Sequence, residues 1–194
     1  MSGRGRPKDD LPSARREGSL LALPDWREAP ISKLHDREAF DCGEAELNEL
    51  VRRHARQSNE TGGAKTFVAS PVGDESRVLG FYSLSPASID YARTPALVKK
   101  GLARYDVPVF RLARLAVDST VQGHGLGGQL LLAAGRRCIH AAVEVGGVAL
   151  LIDAKNDRAV GWYEAYGALA LLDSPQSLVL PLATIEAALK AAGR

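Results

Sequence analysis

A glycine-rich segment between a predicted strand and a predicted helix constrains the fold of this chain most. Residues 122–128 read Gln-Gly-His-Gly-Leu-Gly-Gly. Before them, residues 109–117 alternate as a strand does, and after them the run 129–134 is typical of the opening of a helix. Such a turn leaves several backbone N–H groups unpaired and aimed in one direction, where the helix dipole adds partial positive charge. The segment therefore predicts a site for a diphosphate group, which side chains in place of glycine would keep at a distance.

The same segment does not by itself identify its ligand. A dinucleotide-binding loop has Gly-x-Gly-x-x-Gly after the first strand of its domain, whereas here the spacing from Gly123 is Gly-x-Gly-x-Gly-Gly, past the middle of the chain. No Gly-Lys-Ser/Thr sequence follows, which excludes a P-loop. Because glycine is common in turns, a strand–helix turn that binds nothing also fits the loop alone.

Length and composition fit one globular domain. The chain has 194 residues, of which 45% are apolar and 25% charged, and these proportions are ordinary for a protein with a hydrophobic core. No apolar stretch reaches the roughly 20 residues of a membrane span. The two cysteines, Cys42 and Cys138, are too few for a disulfide framework, so we expect reduced thiols and a cytoplasmic location. A net charge of +2 does not by itself argue for a nucleic-acid partner.

The predicted elements are of the mixed α/β (α+β) class, with strands and helices interleaved on one sheet. Residues 1–30 lack a periodic apolar pattern and are basic near their start, so we expect a disordered tail, with a basic arm that touches RNA as the alternative. Residues 31–194 then form one domain. The expected strands are 31–34, 66–70, 77–85, 107–117, 148–154, 168–172 and 177–182, and the expected helices are 41–57, a short one within 93–106, 124–145, 157–166 and 184–192.

A second motif follows a predicted buried strand at 150–154. Residues 156–167 have the form Asn-x-x-Ala-x-x-aromatic-Tyr-x-x-x-Gly, with Trp162 and Tyr163 as the aromatic pair. Together with Gln-x-x-Gly-x-Gly from Gln122, this pattern resembles the GCN5-related N-acetyltransferase (GNAT) family in motif, order and separation. The resemblance covers about residues 31–183. It implies the GNAT fold, a mixed central sheet of six to seven strands flanked by helices.

Further segments narrow the resemblance to the acetyltransferase toxins of bacterial type II toxin–antitoxin systems. Residues 40–43 read Phe-Asp-Cys-Gly before a predicted helix, and residues 80–84 read Gly-Phe-Tyr-Ser-Leu in a predicted strand. These are similar to the Phe-x-Cys-Gly opening and the Gly-Tyr/Phe-Tyr-Ser/Ala-Leu strand of that subfamily, and residues 111–117 fit its coenzyme-strand pattern. The resemblance implies a toxin that acetylates the α-amino group of aminoacyl-tRNA and so blocks translation.

The resemblance also implies acetyl-CoA as co-substrate, without a metal. A splayed coenzyme strand would pair with the pantetheine amides, and the loop would hold the diphosphate. In the family the motif tyrosine points at the coenzyme sulfur, so Tyr163 would protonate the thiolate; a core-filling tyrosine is the alternative. Asn156 would contact the pantetheine arm or cap its helix. The implied coenzyme-binding residues are Leu115, Ala116, Val117, Gln122, Gly123, His124, Gly125, Leu126, Gly127, Gly128 and Asn156.

The acceptor side is less defined. No general base is evident, which favours an α-amine with a pKa near ~7.7–8.0 over a lysine near ~10.4. The candidate RNA-binding residues are cations around the coenzyme strand, although such clusters are also typical of an ordinary solvated face: Lys99, Lys100, Arg104, Arg111 and Arg114.

Two other interpretations stay open. One is a protein or small-molecule N-acetyltransferase, and the other is a non-catalytic acetyl-CoA-binding regulatory module. The expected partners are aminoacyl-tRNA and, by resemblance, a cognate antitoxin that is a small DNA-binding protein. A homodimer is expected by resemblance as well, and no membrane partner is expected.

Overall fold

The computed structural model describes residues 23–193, and residues 1–22 and 194 lie outside that range. Its centre is a mixed sheet of seven strands in the order β1-β2-β3-β4-β5-β7-β6. The strands are β1 (Trp26–Pro30), β2 (Lys65–Pro71), β3 (Gly80–Ile89), β4 (Val107–Val117), β5 (Ala149–Asp153), β6 (Leu169–Leu171) and β7 (Ser174–Pro181). The helices are α1 (Ala45–Glu49), α2 (Ala55–Thr61), α3 (Ala96–Lys99), α4 (Leu126–Val145), α5 (Asp157–Glu164) and α6 (Leu182–Ala191), with a π-helical segment at Leu50–His54 and a 3-10 turn at Ser119–Val121.

Helices cover both faces of this sheet, because alternate strand residues point to opposite sides. On one face α4 and α6 bury the largest hydrophobic cluster, in which Leu130 and Ile185 meet Leu112 of β4. On the other face, Val51 of the π-helical segment packs over β2–β4. The α3 region covers the remaining part of that face around Val109. The predicted mixed α/β sheet with flanking helices is therefore confirmed.

The first strand does not lie where the sequence predicts it. The prediction is 31–34, but β1 spans Trp26–Pro30 and pairs antiparallel with β2, and residues 31–34 form a turn. The segment Trp-Arg-Glu-Ala-Pro has two adjacent charged residues and ends in proline, which the edge of a sheet tolerates and its centre does not. The expected boundary of the tail at residue 30 is therefore wrong, because residues 26–30 belong to the sheet. Residues 1–22 of that expected tail lie outside the described residues.

The other elements lie where they are predicted, with ends shifted by a few residues. Strand β4 has the predicted bounds, and α4 starts at Leu126 rather than at residue 124. The π-helical segment Leu50–His54 is not predicted, and it places an extra residue in one helical turn. Within residues 23–193, no helix is both long enough and apolar enough to span a bilayer.

Strand β4 positions the candidate site. It pairs antiparallel with β3, and a shift in register between Ser83 and Leu84 leaves Ala113 as a bulge. It pairs parallel with β5 only from Phe110 to Leu112, whereas β4 itself continues to Val117. The two central strands therefore diverge, and one backbone edge of β4 is open beyond the bulge.

Candidate active site

The open edge of β4 presents the backbone of Leu115 and Val117. The N–H of Asp118 donates to the Leu79 carbonyl at 2.8 Å, so Asp118 faces β3. Backbone groups of an antiparallel strand alternate in direction, and the N–H and C=O groups of Leu115 and Val117 therefore point toward the diverging β5. The predicted coenzyme strand thus has the splayed geometry that pairing with pantetheine amides requires, whereas the backbone of Ala116 faces β3.

The glycine-rich loop connects this strand to the start of α4. Gly123 and Gly125 have φ of 81° and 84°, in the region that favours glycine, and Gly125 is the N-cap of α4. The His124 ring is turned back onto the loop, with its Nδ1 2.9 Å from the Gln122 carbonyl oxygen. The loop lines a cavity of about 380 Å³, which we call the loop cavity. Its lining comprises Val117, Val121, Gln122, Gly123, Gly125, Leu126, Gly127, Gly128, Trp162 and Tyr166.

The side chain of Gln122 holds the loop in place. Its Nε2 donates to the carbonyl of Val117 at 2.9 Å and to the carbonyl of Cys42 at 3.0 Å. One amide group therefore ties the loop both to the end of β4 and to the segment before α1. The sequence analysis assigns Gln122 only a backbone contact with the diphosphate, and this side-chain role follows from the tertiary structure.

Gly128 has a packing reason to be glycine, because a Cβ there would lie 2.1 Å from the Tyr166 hydroxyl. A Cβ at Gly127 would lie 3.5 Å from the Trp162 ring, which is an ordinary contact distance. The first turn of α4 therefore lies close against α5 and the turn after it. Gly128 allows this contact, and both glycines leave their N–H groups open to the approach of an anion.

Tyr163 lies in a second cavity of about 290 Å³, which we call the central groove. Among the described residues no group forms a hydrogen bond with its hydroxyl, and the Trp162 ring packs edge-on against it at 4.8 Å between centroids. Burial raises the pKa of Tyr163 to about 12, so the phenol is protonated at neutral pH and can donate to an anion. The groove is lined by Glu44, Glu46, Leu47, Leu112, Ala113, Arg114, Leu115, Ile152, Asp153, Ala154, Lys155, Ala159 and Tyr163.

The Asn156 side chain acts as a helix cap. Its Oδ1 accepts a hydrogen bond from the N–H of Ala159 at 2.9 Å, and the residue is the N-cap of α5. Of the two roles that the sequence analysis considers for Asn156, the cap is the one that its contacts show. Asn156 thereby fixes the start of the helix that carries Tyr163.

Three carboxylates at the central groove are missed by the sequence analysis. Glu44 and Glu46 stand at the start of α1, and Asp153 ends β5. Glu44 forms an ion pair with Lys155, and Asp153 lies 3.5 Å from Arg111. No local motif marks the two glutamates, because the packing of α1 across the sheet brings them to the groove. Arg114 and Lys155 also line the groove, so its lining has three carboxylates and two cations and is net negative.

The five predicted RNA-binding cations do not form one cluster. Arg114 lines the central groove, and Arg111 lies beside it on β4. Lys99 is engaged elsewhere, because its Nζ donates to the Tyr91 carbonyl at 3.0 Å and lies 4.7 Å above the Tyr91 ring. Lys100 and Arg104 are exposed beyond α3 and do not line the groove.

Comparison with known proteins relates this geometry to one family. Residues 25–168 match the family described as "Acetyltransferase (GNAT) family". A "tRNA-acetylating toxin" of Mycobacterium tuberculosis (strain ATCC 25618 / H37Rv) is 39% identical over 133 residues, which are 69% of this chain and 78% of that protein.

Two solved structures extend the comparison. The structure of "AtaT complexed with acetyl-methionyl-tRNAfMet" is similar with a TM-score of 0.78 and 26% identity, over 84% of this chain and 99% of that chain. A mutant AtaT toxin bound to acetyl-CoA and to the C-terminus of the antitoxin AtaR has a TM-score of 0.72 and 25% identity, over 84% and 98% of the two chains.

Proposed function

Because this chain belongs to the acetyltransferase (GNAT) family, we propose that it transfers the acetyl group of acetyl-CoA to the α-amino group of aminoacyl-tRNA. In this proposal it is the toxin of a toxin–antitoxin pair, and acetylation of charged tRNA blocks translation. A substrate of this kind is cytoplasmic, as the sequence analysis expects.

One observation carries the donor half of the proposal: neighbouring residues of α5 and of β4 line the loop cavity and the central groove. Trp162 and Val117 line the loop cavity, and Tyr163 and Leu115 line the central groove. A coenzyme whose diphosphate binds the loop could therefore extend its pantetheine arm along Leu115 and Val117 and bring its thioester to Tyr163. This path supports the coenzyme-binding residues predicted from the sequence, with Gln122 and Asn156 acting as supports.

The chemistry requires little from the protein beyond positioning. The neutral amine nitrogen attacks the thioester carbon and forms the carbon–nitrogen bond, which gives a tetrahedral oxyanion. The carbon–sulfur bond breaks when this oxyanion collapses. The leaving thiolate takes a proton from the Tyr163 hydroxyl, and the proton released by the amine passes to solvent, from which the phenol is restored. A backbone N–H at the open edge of β4 would stabilise the oxyanion that forms between these events.

The acceptor half is supported by similarity and by charge. The relative that is 39% identical is named a tRNA-acetylating toxin, and the similar AtaT structure contains acetyl-methionyl-tRNA. In this chain Arg111 and Arg114 lie at the groove, where they could contact RNA phosphates. Glu44, Glu46 and Asp153 could attract the ammonium form of an α-amine before it loses its proton.

The proposed partners follow from the same comparisons. AtaT binds the C-terminus of its antitoxin AtaR. We therefore propose that a cognate antitoxin binds this chain and suppresses its toxicity, and we keep a DNA-binding antitoxin and a homodimer as predictions.

The proposal is tested with purified protein, radiolabelled acetyl-CoA and a mixture of aminoacyl-tRNAs. We expect label in the tRNA fraction and a loss of about 10²–10⁴-fold in kcat for Tyr163→Phe, the usual contribution of a general acid. Tyr105→Phe is the matched control, because Tyr105 is exposed and lines neither cavity. Labelling of proteins or free amines instead of tRNA would favour the broader N-acetyltransferase interpretation. Coenzyme binding without any transfer would favour a regulatory module.

A further inference from the structure

A third cavity adjoins the central groove, and we propose that it binds the terminal nucleoside of the acceptor tRNA. This inference rests on the proposed function. The cavity has a volume of about 220 Å³ and lies between the helical segment 50–58 and strands β2–β4. We call it the side pocket. It shares Ala113 and Arg114 with the central groove, so a ligand can occupy both at once.

The side pocket forms where small residues on the sheet side lie opposite the π-helical segment, next to the bulge in β4. Ala64 and the bulge residue Ala113 leave space on the sheet side. The hydroxyls of Thr66 and Ser83 form part of the lining and bond to each other at 2.8 Å, which satisfies both groups. Opposite them is the π-helical segment Leu50–His54, whose extra residue widens the turn.

The charges of the two adjoining cavities differ in a way that matches an aminoacyl ester. The central groove is lined by three carboxylates, those of Glu44, Glu46 and Asp153, and by two cations, Arg114 and Lys155, so its lining is net negative. The lining of the side pocket contains no acidic residue and includes Arg114 and His54. An aminoacyl ester carries an ammonium group at one end and a nucleoside linked to phosphate at the other. Charge thus directs the amine to the groove and the nucleoside to the side pocket.

The side pocket has the size and the flat side chains that a nucleobase needs. A cavity of about 150 Å³ can admit a benzene molecule, so the larger side pocket can admit a base. The guanidinium of Arg114 and the imidazole of His54 are flat groups that stack on bases. The adenine of coenzyme A lies beyond the diphosphate, and the loop cavity shares no lining residue with the side pocket.

The test uses the trinucleotide CCA, the common 3′ end of tRNA, as a probe without an amino acid. Its Kd is measured by fluorescence anisotropy with a label at the 5′ end. Ala64→Leu should fill the side pocket and raise the Kd for CCA about 5- to 150-fold, the range that corresponds to base-stacking energies of about 1–3 kcal/mol. Ala187→Leu, on the exposed face of α6, is the matched control and should leave the Kd at the wild-type value. The Kd for acetyl-CoA, measured in parallel, reports whether the Ala64→Leu protein is folded.

A second pair of variants covers the case in which Ala64→Leu fails to fold. Arg114→Ala and Arg114→Lys should both weaken CCA binding, because lysine keeps the charge but lacks the flat group. Full rescue by Arg114→Lys would assign Arg114 to a phosphate and overturn the stacking arrangement. If Ala64→Leu is folded and its Kd for CCA equals that of the wild type, the inference is overturned. This holds even if the KM of the variant for aminoacyl-tRNA changes. Failure of the wild-type protein to acetylate any aminoacyl-tRNA would instead refute the proposed function.

Discussion

Replacement of Gln122 by alanine tests how the glycine-rich loop is held against the sheet. The side chain donates two hydrogen bonds, at 2.9 Å to Val117 and at 3.0 Å to Cys42. A neutral hydrogen bond contributes about 0.5–1.5 kcal/mol net, and the exposure of Gln122 argues for the lower part of that range. We therefore expect Gln122→Ala to lower the free energy of unfolding by about 1–2 kcal/mol. The loop would also be less ordered before the coenzyme binds, so the Kd for acetyl-CoA should rise.

Thermal unfolding with and without acetyl-CoA measures both effects. A loss of 1 kcal/mol lowers Tm by about 2–4 °C in a domain of this size, so we expect a decrease of about 2–8 °C. Gln122→Glu keeps the length but removes the donor and places a carboxylate beside two carbonyl oxygens. It should be at least as destabilised as the alanine variant. Gln57→Ala is the control, because Gln57 is exposed and its side chain has no hydrogen bond within the described residues.

Two outcomes would refute the reasoning about Gln122. If Gln122→Ala and Gln57→Ala unfold at the same temperature, the two hydrogen bonds contribute nothing measurable. If Gln122→Glu is as stable as the wild type, the donor is not what holds the loop. If Gln122→Ala is less stable but its Kd for acetyl-CoA is unchanged, the two hydrogen bonds stabilise the fold and do not affect coenzyme binding.

Two pH-dependent predictions follow from the buried tyrosines. Because the pKa of Tyr163 is raised to about 12, kcat should rise as the α-amine deprotonates near pH ~8 and then stay level to pH 10; a descending limb between pH 9 and 10 in a pH–rate profile would contradict this. Burial also raises the pKa of Tyr82, so this tyrosine contributes stability below about pH 10 that is lost as the pH rises through its folded-state pKa. Urea unfolding from pH 7 to 11 should therefore show a weaker alkaline loss in Tyr82→Phe than in the wild type, and equal slopes would count against the assignment.

Most of the fold could be predicted from periodicity and turn signals. The eleven residues of β4 and the long helix after it have clear patterns, and the structure places them where the sequence does. Strand β1 could not be found this way, because its five residues have no clear apolar alternation and become a strand only through pairing with β2. The π-helical segment also has no local signature in a helix that reads as continuous from residue 41 to 57.

The candidate site was predictable where one continuous segment carries it. The loop, the coenzyme strand and Tyr163 each belong to a motif, and the structure places these three around two neighbouring cavities. Glu44 and Glu46 reach the groove because α1 packs across the sheet. The periodicity of the sequence does not predict that packing. For Lys99 the sequence predicts an RNA contact, but in the structure its ammonium group contacts the carbonyl and the ring of Tyr91.

The contact between the start of α4 and the end of α5 has an evolutionary consequence. A Cβ at position 128 would lie 2.1 Å from the Tyr166 hydroxyl, so a side chain at position 128 requires the Tyr166 ring to move or to be replaced. Among homologous sequences, alanine or serine at position 128 should coincide with loss of the tyrosine hydroxyl or with a smaller residue at position 166. Covariation between these positions would show that the glycine-rich loop and the segment that carries Tyr163 evolve together.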